Sequence, residues 1–213
     1  MTAKEKAAAI VALLEERYPS AECALNYEGE PWKLLVMGRL SAQCTDARVN
    51  VVCEDLFARY PTPEELARAP VGEIERIVRP CGLFRTKAAQ IKEACRMLSE
   101  DFGGELPSDM ETLLTFPGVG RKIANLLRGD VFSLPAIVAD THCIRLSERL
   151  GLTRKGEKRP EAVEKALTAI VAPEKQSDFC HRLVLYGREV CTARAPRCGE
   201  CRLSEFCRTY KTR

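Results

Sequence analysis

Apolar residues recur at three- and four-residue intervals through most of this chain, and strand-like alternation is absent. That period marks helices with one buried face, whereas a half-buried strand needs a period of two. The start signals agree. Thr2 is placed to cap a first helix that ends near Tyr18. Thr62-Pro63-Glu64-Glu65 has the form of a capping box with proline at the first helical position. Ser108 with Glu111 predicts a second box. Further helices are predicted from Trp32 to Leu40, Val71 to Val78, Thr86 to Leu98, Arg121 to Arg128, Thr141 to Leu150, Pro160 to Val171 and Asp178 to Val190. Val131 to Val138 is the one stretch that could pass for a strand, and Pro135 interrupts it. The expected fold class is all-α. Aromatic residues at 6% disfavour a β-sandwich, and an apolar share of 46% excludes wholesale disorder.

The longest apolar run, Ala7 to Leu14, is too short to span a membrane. It is followed at once by Glu15, Glu16 and Arg17, without the small-residue site of a signal peptide. A cytoplasmic protein is expected. The net charge is +3, from 33 Lys+Arg and 30 Asp+Glu, so any binding to nucleic acid must rest on local patches. Eleven cysteines cannot all pair within one chain. Seven are scattered (Cys23, Cys44, Cys53, Cys81, Cys95, Cys143 and Cys180) and read mainly as small core residues of a reducing compartment.

The other four crowd the end of the chain. Cys191, Cys198, Cys201 and Cys207 are separated by six, two and five residues. Four thiolates in so short a segment can surround one metal centre. A zinc site usually brings two close Cys pairs, and only one Cys-x-x-Cys occurs here. A four-cysteine iron–sulfur cluster is the alternative. Arg194, Arg197 and Arg202 lie beside these cysteines, either balancing the charge of the centre or reaching for phosphates. From Cys191 to the end, Arg194, Arg197, Arg202, Arg208, Lys211 and Arg213 stand against only Glu200 and Glu205.

Phe116-Pro117-Gly118-Val119-Gly120-Arg121-Lys122 lies between two expected helices. It has the form of the hairpin in a helix–hairpin–helix element. Gly118 and Gly120 permit a tight turn and close backbone approach. The free N–H groups of the next helix, with Arg121 behind them, suit a DNA phosphate. Lys122, at that positive helix end, has a setting that favours the neutral amine of a nucleophile. Part burial of Lys122 is expected as well. Ile137-Val138-Ala139-Asp140-Thr141-His142 brings an apolar run to a helix start, where Asp140 can serve as both N-cap and catalytic carboxylate.

These motifs, in this order, resemble the endonuclease III family of DNA repair glycosylases over nearly the whole chain. Ser41-Ala42-Gln43-Cys44-Thr45-Asp46 is similar to one of its DNA-probing segments, and Gly82-Leu83-Phe84 followed by Lys87-Ala88 to another. The resemblance implies a two-domain helix–hairpin–helix glycosylase fold. A six-helix barrel would span residues 24–134, and residues 1–23 and 135–213 would form a helical domain holding a 4Fe–4S cluster on the four terminal cysteines. It also implies flipping of a damaged base out of duplex DNA, with the active site in a cleft between the domains. Gln43 would fill the vacated space and Leu83 would wedge into the opposite strand, although apolar pattern alone would place Leu83 in a core. Lys122 would form a Schiff base with the sugar and Asp140 would stabilise charge on it. The expected partner is double-stranded DNA with oxidised pyrimidines or abasic sites, bound by a monomer associated with the nucleoid. Gly38, Arg39 and Ile123 depart from the family's usual residues.

Three rival readings remain at this point. The related branch that removes adenine opposite 8-oxoguanine lacks the lysine and carries an extra C-terminal domain. A thymine-mismatch glycosylase also usually lacks the lysine. A non-catalytic DNA-binding iron–sulfur redox sensor would have no use for Lys122 with Asp140.

Overall fold

A computed structural model describes residues 1–211, so Arg213 of the basic tail lies outside the described residues. All regular structure among them is helical. The chain divides into two compact units, one of residues 23–132 and one of residues 1–22 with 133–213.

The first unit contains α2 (Pro31–Leu40), α3 (Asp46–Arg59), α4 (Pro63–Arg68), α5 (Val71–Val78), α6 (Phe84–Asp101), α7 (Met110–Leu113) and α8 (Arg121–Asp130). α6 is the longest, and α2, α4 and α5 all pack on it. Its inward stripe is Lys87, Ala88, Ile91, Ala94, Cys95 and Leu98. That is the spacing of one helix face, with small residues where neighbours approach. α2 packs on α8, and α3 packs on α5. Leu34, Leu40, Leu56 and Leu66 are completely buried. Each contributes on the order of 2 kcal/mol through burial.

The second unit contains α1 (Ala3–Arg17), α9 (Thr141–Arg149), α10 (Pro160–Thr168), α11 (Gln176–Glu189) and α12 (Arg208–Lys211). α1 and α9 pack on α11, and α10 packs on α9. Ile10, Leu14, Phe179 and Leu183 form its fully buried centre. Thr2 accepts from the Glu5 amide while the Glu5 carboxylate accepts from the Thr2 amide, so α1 starts in a complete capping box. Such a cap is worth about 1 kcal/mol.

Several expectations need correction. The cap before α7 is Asp109, whose carboxylate accepts from the Thr112 amide; Ser108 and Glu111 form no box there. Thr62 does cap α4 through the Glu65 amide, but only that half of the box is formed. α3 is absent from the sequence reading, although Thr45 caps it and Val49, Val52, Cys53 and Leu56 form its buried face. In line with the expectation from Pro135, the Val131–Val138 segment forms no strand. Five of the seven scattered cysteines are buried, and Cys23 and Cys44 are partly exposed.

Two of the unusual residues meet each other. Gly38 lies within α2, and a Cβ built on it would stand 3.1 Å from Cγ2 of Ile123 on α8. Ile123 therefore fills space that a larger residue at 38 would need. Gly38→Val should overpack this contact and destabilise the unit by about 1–3 kcal/mol. Adding Ile123→Ala should restore much of that loss. Urea unfolding of the two single variants and the pair checks this; additive losses would refute the contact.

Candidate functional site

The hairpin is built as a turn followed by a helix start. Gly118 has φ +79°, a left-handed conformation that glycine adopts without strain. A Cβ there would also stand 2.5 Å from Cδ and Nε of Arg39 and 2.8 Å from the Gln90 side-chain oxygen. Arg39 thus packs against the turn at Gly118, its Nε donating to Gln90 at 2.5 Å. This gives the unexpected arginine of α2 a place: its stem supports the hairpin. Gly120 is different. Its φ of −102° suits any residue, and a Cβ on it would meet nothing within 4 Å. Nothing in the protein demands glycine there, whereas a group approaching the first amides of α8 would. Arg121 and Lys122 open that helix and are both exposed. The part burial expected for Lys122 is absent.

The two loops that resemble DNA-probing segments share an unusual backbone. Gln43 is exposed with φ +56°. Leu83 has φ +47° and is 56% exposed, so it is no core leucine. Non-glycine residues in the left-handed region cost about 1 kcal/mol or more and persist where the surroundings impose them. Lys87 contacts the backbone on the N-terminal side of both residues. It is fully buried and donates to the carbonyls of Leu40, Ala42 and Cys81 at 2.8, 2.6 and 2.8 Å. Burial lowers its basicity, and the nearby Arg39 acts in the same direction. No role for Lys87 follows from the sequence alone. The available signal was a lysine on the apolar stripe of α6, four residues before Ile91.

In the other unit, Asp140 is the N-cap of α9. Its carboxylate accepts from the Cys143 amide at 2.7 Å, and it is half-buried. Behind it the ring of His142 contacts Arg145 at 3.1 Å. Lys122 and Asp140 therefore both stand at helix N-termini, each in its own unit.

The four terminal cysteines come together. Cys191, Cys198, Cys201 and Cys207 all line one cavity of about 40 Å³, with Arg149 and Tyr210 on its wall. No three His, Cys, Asp or Glu side chains among the described residues are placed to hold a metal ion by themselves. A ring of four cysteines around a cavity is the donor set of an iron–sulfur cluster. Helical side chains orient the ring. Arg149 Nη1 donates to Cys191 Sγ at 3.2 Å and to the Thr192 carbonyl at 2.8 Å, and its Nη2 donates to Ala193 at 3.0 Å. The Tyr186 hydroxyl donates to Cys201 Sγ at 3.1 Å. Burial raises the Cys191 thiol, and the Arg149 guanidinium opposes that by favouring the thiolate a ligand requires. Neither Arg149 nor Tyr186 was anticipated, because nothing in their spacing points to the tail.

The arginines of the tail divide. Arg202 pairs with Glu16 of α1 at 2.9 Å, and Arg208 donates to the carbonyls of Gly151 and Thr153. Both therefore have partners within the protein. Arg194 and Arg197 are exposed, and neither side chain makes a hydrogen bond or ion pair among the described residues.

Comparison with known proteins fits this geometry. Residues 36–173 match the HhH-GPD superfamily of base excision DNA repair proteins. Residues 191–207 match the iron–sulfur binding domain of endonuclease III, a match that begins at Cys191 and ends at Cys207. Endonuclease III of Synechocystis is 44% identical over 96% of this chain and 92% of its own length. Two solved structures, a non-covalent endonuclease III–DNA complex and a trapped endonuclease III–DNA covalent intermediate, each superpose with a TM-score of 0.92 at 40% identity. Each covers all of this chain, with 98% and 99% of the solved chains matched. The fold and its cysteine-rich tail thus define a helix–hairpin–helix base excision repair protein with an iron–sulfur domain. More narrowly, the chain belongs to the endonuclease III family, and its cofactor is a 4Fe–4S cluster.

Arg149→Met removes all three hydrogen bonds from the 191–193 loop while keeping an apolar stem. Loss of such outer contacts typically costs about 10–100-fold in metal affinity. The variant should lose its cluster absorbance to a chelator correspondingly faster; bleaching at the wild-type rate would contradict the role given to Arg149.

Proposed function

We propose that this chain is a bifunctional DNA glycosylase and abasic-site lyase that removes oxidised pyrimidines from duplex DNA. It acts as a monomer, in the cytoplasm and on the nucleoid. The observation that carries this reading is a lysine in the first turn of the helix behind a Gly118–Gly120 hairpin, in a chain that aligns throughout with a trapped covalent DNA complex.

The DNA backbone rests on the first amides of α8, which Gly120 leaves open, with Arg121, Arg194 and Arg197 adding charge. Gln43 enters the space left by the extruded nucleotide and Leu83 enters the opposite strand. The Lys122 amine attacks C1′ of the deoxyribose as the damaged base departs. Asp140 stabilises the positive charge that develops on the sugar. The resulting imine of Lys122 acidifies the C2′ proton, whose loss drives β-elimination of the 3′ phosphate. Cys191, Cys198, Cys201 and Cys207 hold the cluster. When bound, it ties four points of a tail with little core of its own into one shape, and so fixes the loop of Arg194 and Arg197.

Borohydride should trap the wild-type protein on thymine-glycol duplex and should not trap Lys122→Gln; normal trapping of that variant would remove Lys122 from the mechanism. Asp140→Asn separates the two duties of that residue. Asparagine caps a helix as well as aspartate does, so stability should stay within about 0.5 kcal/mol. Base removal should nevertheless fall about a hundredfold. Wild-type rates in a folded Asp140→Asn protein would leave Asp140 a cap alone. Duplexes carrying uracil, a mismatch or 8-oxoguanine, set beside thymine glycol, test the substrate class.

A further inference from the structure

Lys87 stands in the first turn of α6, four residues after Leu83. An ammonium has three donors and no acceptor, and here each donor meets a carbonyl. The three acceptors come from two separate loops. Leu40 and Ala42 lie just before Gln43, and Cys81 lies two residues before Leu83. The loops also come near each other at Cys44 and Cys81: burial first, and then the neighbouring Cys44, raise the Cys81 thiol. Each loop then presents one exposed side chain from a left-handed residue, Gln43 and Leu83. A lysine that merely filled the core would be replaceable by methionine. This one joins two loops through their own backbone carbonyls, in addition to the packing of α2 on α6.

We propose that Lys87 is a positioning residue for base extrusion: its ammonium ties the Gln43 loop to the Leu83 loop, so that the two probes enter the duplex as one rigid body. The inference rests on the reading of Gln43 and Leu83 as DNA probes given above. Two probes that must occupy opposite strands at one step gain from a fixed separation, because small misplacements at a reacting site are expensive.

The test uses Lys87→Met and Lys87→Gln in the full cluster-bearing protein, alone and combined with Gln43→Ala/Leu83→Ala. Single-turnover excision is measured on thymine-glycol duplex, with 2-aminopurine opposite the lesion to report wedge insertion. Lys87→Met should slow excision at least about tenfold and blunt the fluorescence rise. In the Gln43→Ala/Leu83→Ala background the same substitution should change the rate by no more than about twofold, because the probes through which it acts are gone. Hydrogen exchange should quicken in residues 41–45 and 79–84 together in both Lys87 variants. The proposal is overturned if the losses multiply, if Lys87→Met excises at the wild-type rate, or if only one of the two segments loosens. If Gln43→Ala/Leu83→Ala itself excises normally, the reading of those residues as probes falls instead. Exchange in the two segments then still decides whether Lys87 couples the loops.

Discussion

The inward stripe of α6 is the feature around which residues 23–132 are arranged. Ala88, Ile91, Ala94, Cys95 and Leu98 let α2, α4 and α5 settle against one long helix. The alanines matter as much as the larger residues, because close approach of helices needs small side chains at the crossing. At the N-terminal end of the stripe the apolar series gives way to Lys87. Three backbone carbonyls converge there, and no helix or strand supplies donors for them. Leaving them unpaired in the interior would cost about 1–3 kcal/mol apiece. The ammonium satisfies all three at once. One helix thus supplies both the packing surface of the unit and the clamp on its two exposed loops.

The tail is organised by a different kind of force. Between Cys191 and Cys207 there are only single turns of 3-10 helix, and Leu203 and Phe206 are the buried hydrophobes. A segment of this size buries too little apolar surface to hold a shape by itself. Four cysteine ligands on one metal centre would make up the difference. Contacts from the helices reinforce it, with Arg149, Tyr186 and Lys6 reaching the segment from α9, α11 and α1. This ties the shape of a surface loop to the presence of its cofactor.

Much of the architecture was legible in the order of the residues, for identifiable reasons. Four of the five helix starts with a Thr or Asp cap, those at Thr2, Thr62, Asp109 and Asp140, are legible to within a residue because the cap is local chemistry; the fifth, at Thr45, is not. α3 was overlooked, although its apolar face is spaced as regularly as any other. Its three valines favour strands by intrinsic propensity, and the burial of one face overrides that preference. The cysteine tail and the hairpin were legible because their spacing is itself the device. Lys87, Arg39 and Arg149 were not, because each acts on backbone atoms far away in the chain. A carbonyl leaves no mark in a sequence that shows which side chain will reach it. Leu83 is the opposite case: an apolar residue that pattern would bury is held outward by its own backbone conformation.

Gly38 and Ile123 have a historical consequence. The two side-chain positions share one small volume between α2 and α8. A lineage carrying a larger residue at 38 could not have accepted isoleucine at 123 first without crowding the helix crossing. The reverse order opens a void and then fills it. Arg39 adds a third member, since its stem occupies the space beside Gly118 that only glycine leaves free. Hybrids that exchange the α2 segment between family members should therefore carry α8 and the hairpin with it, because these side chains fit one another.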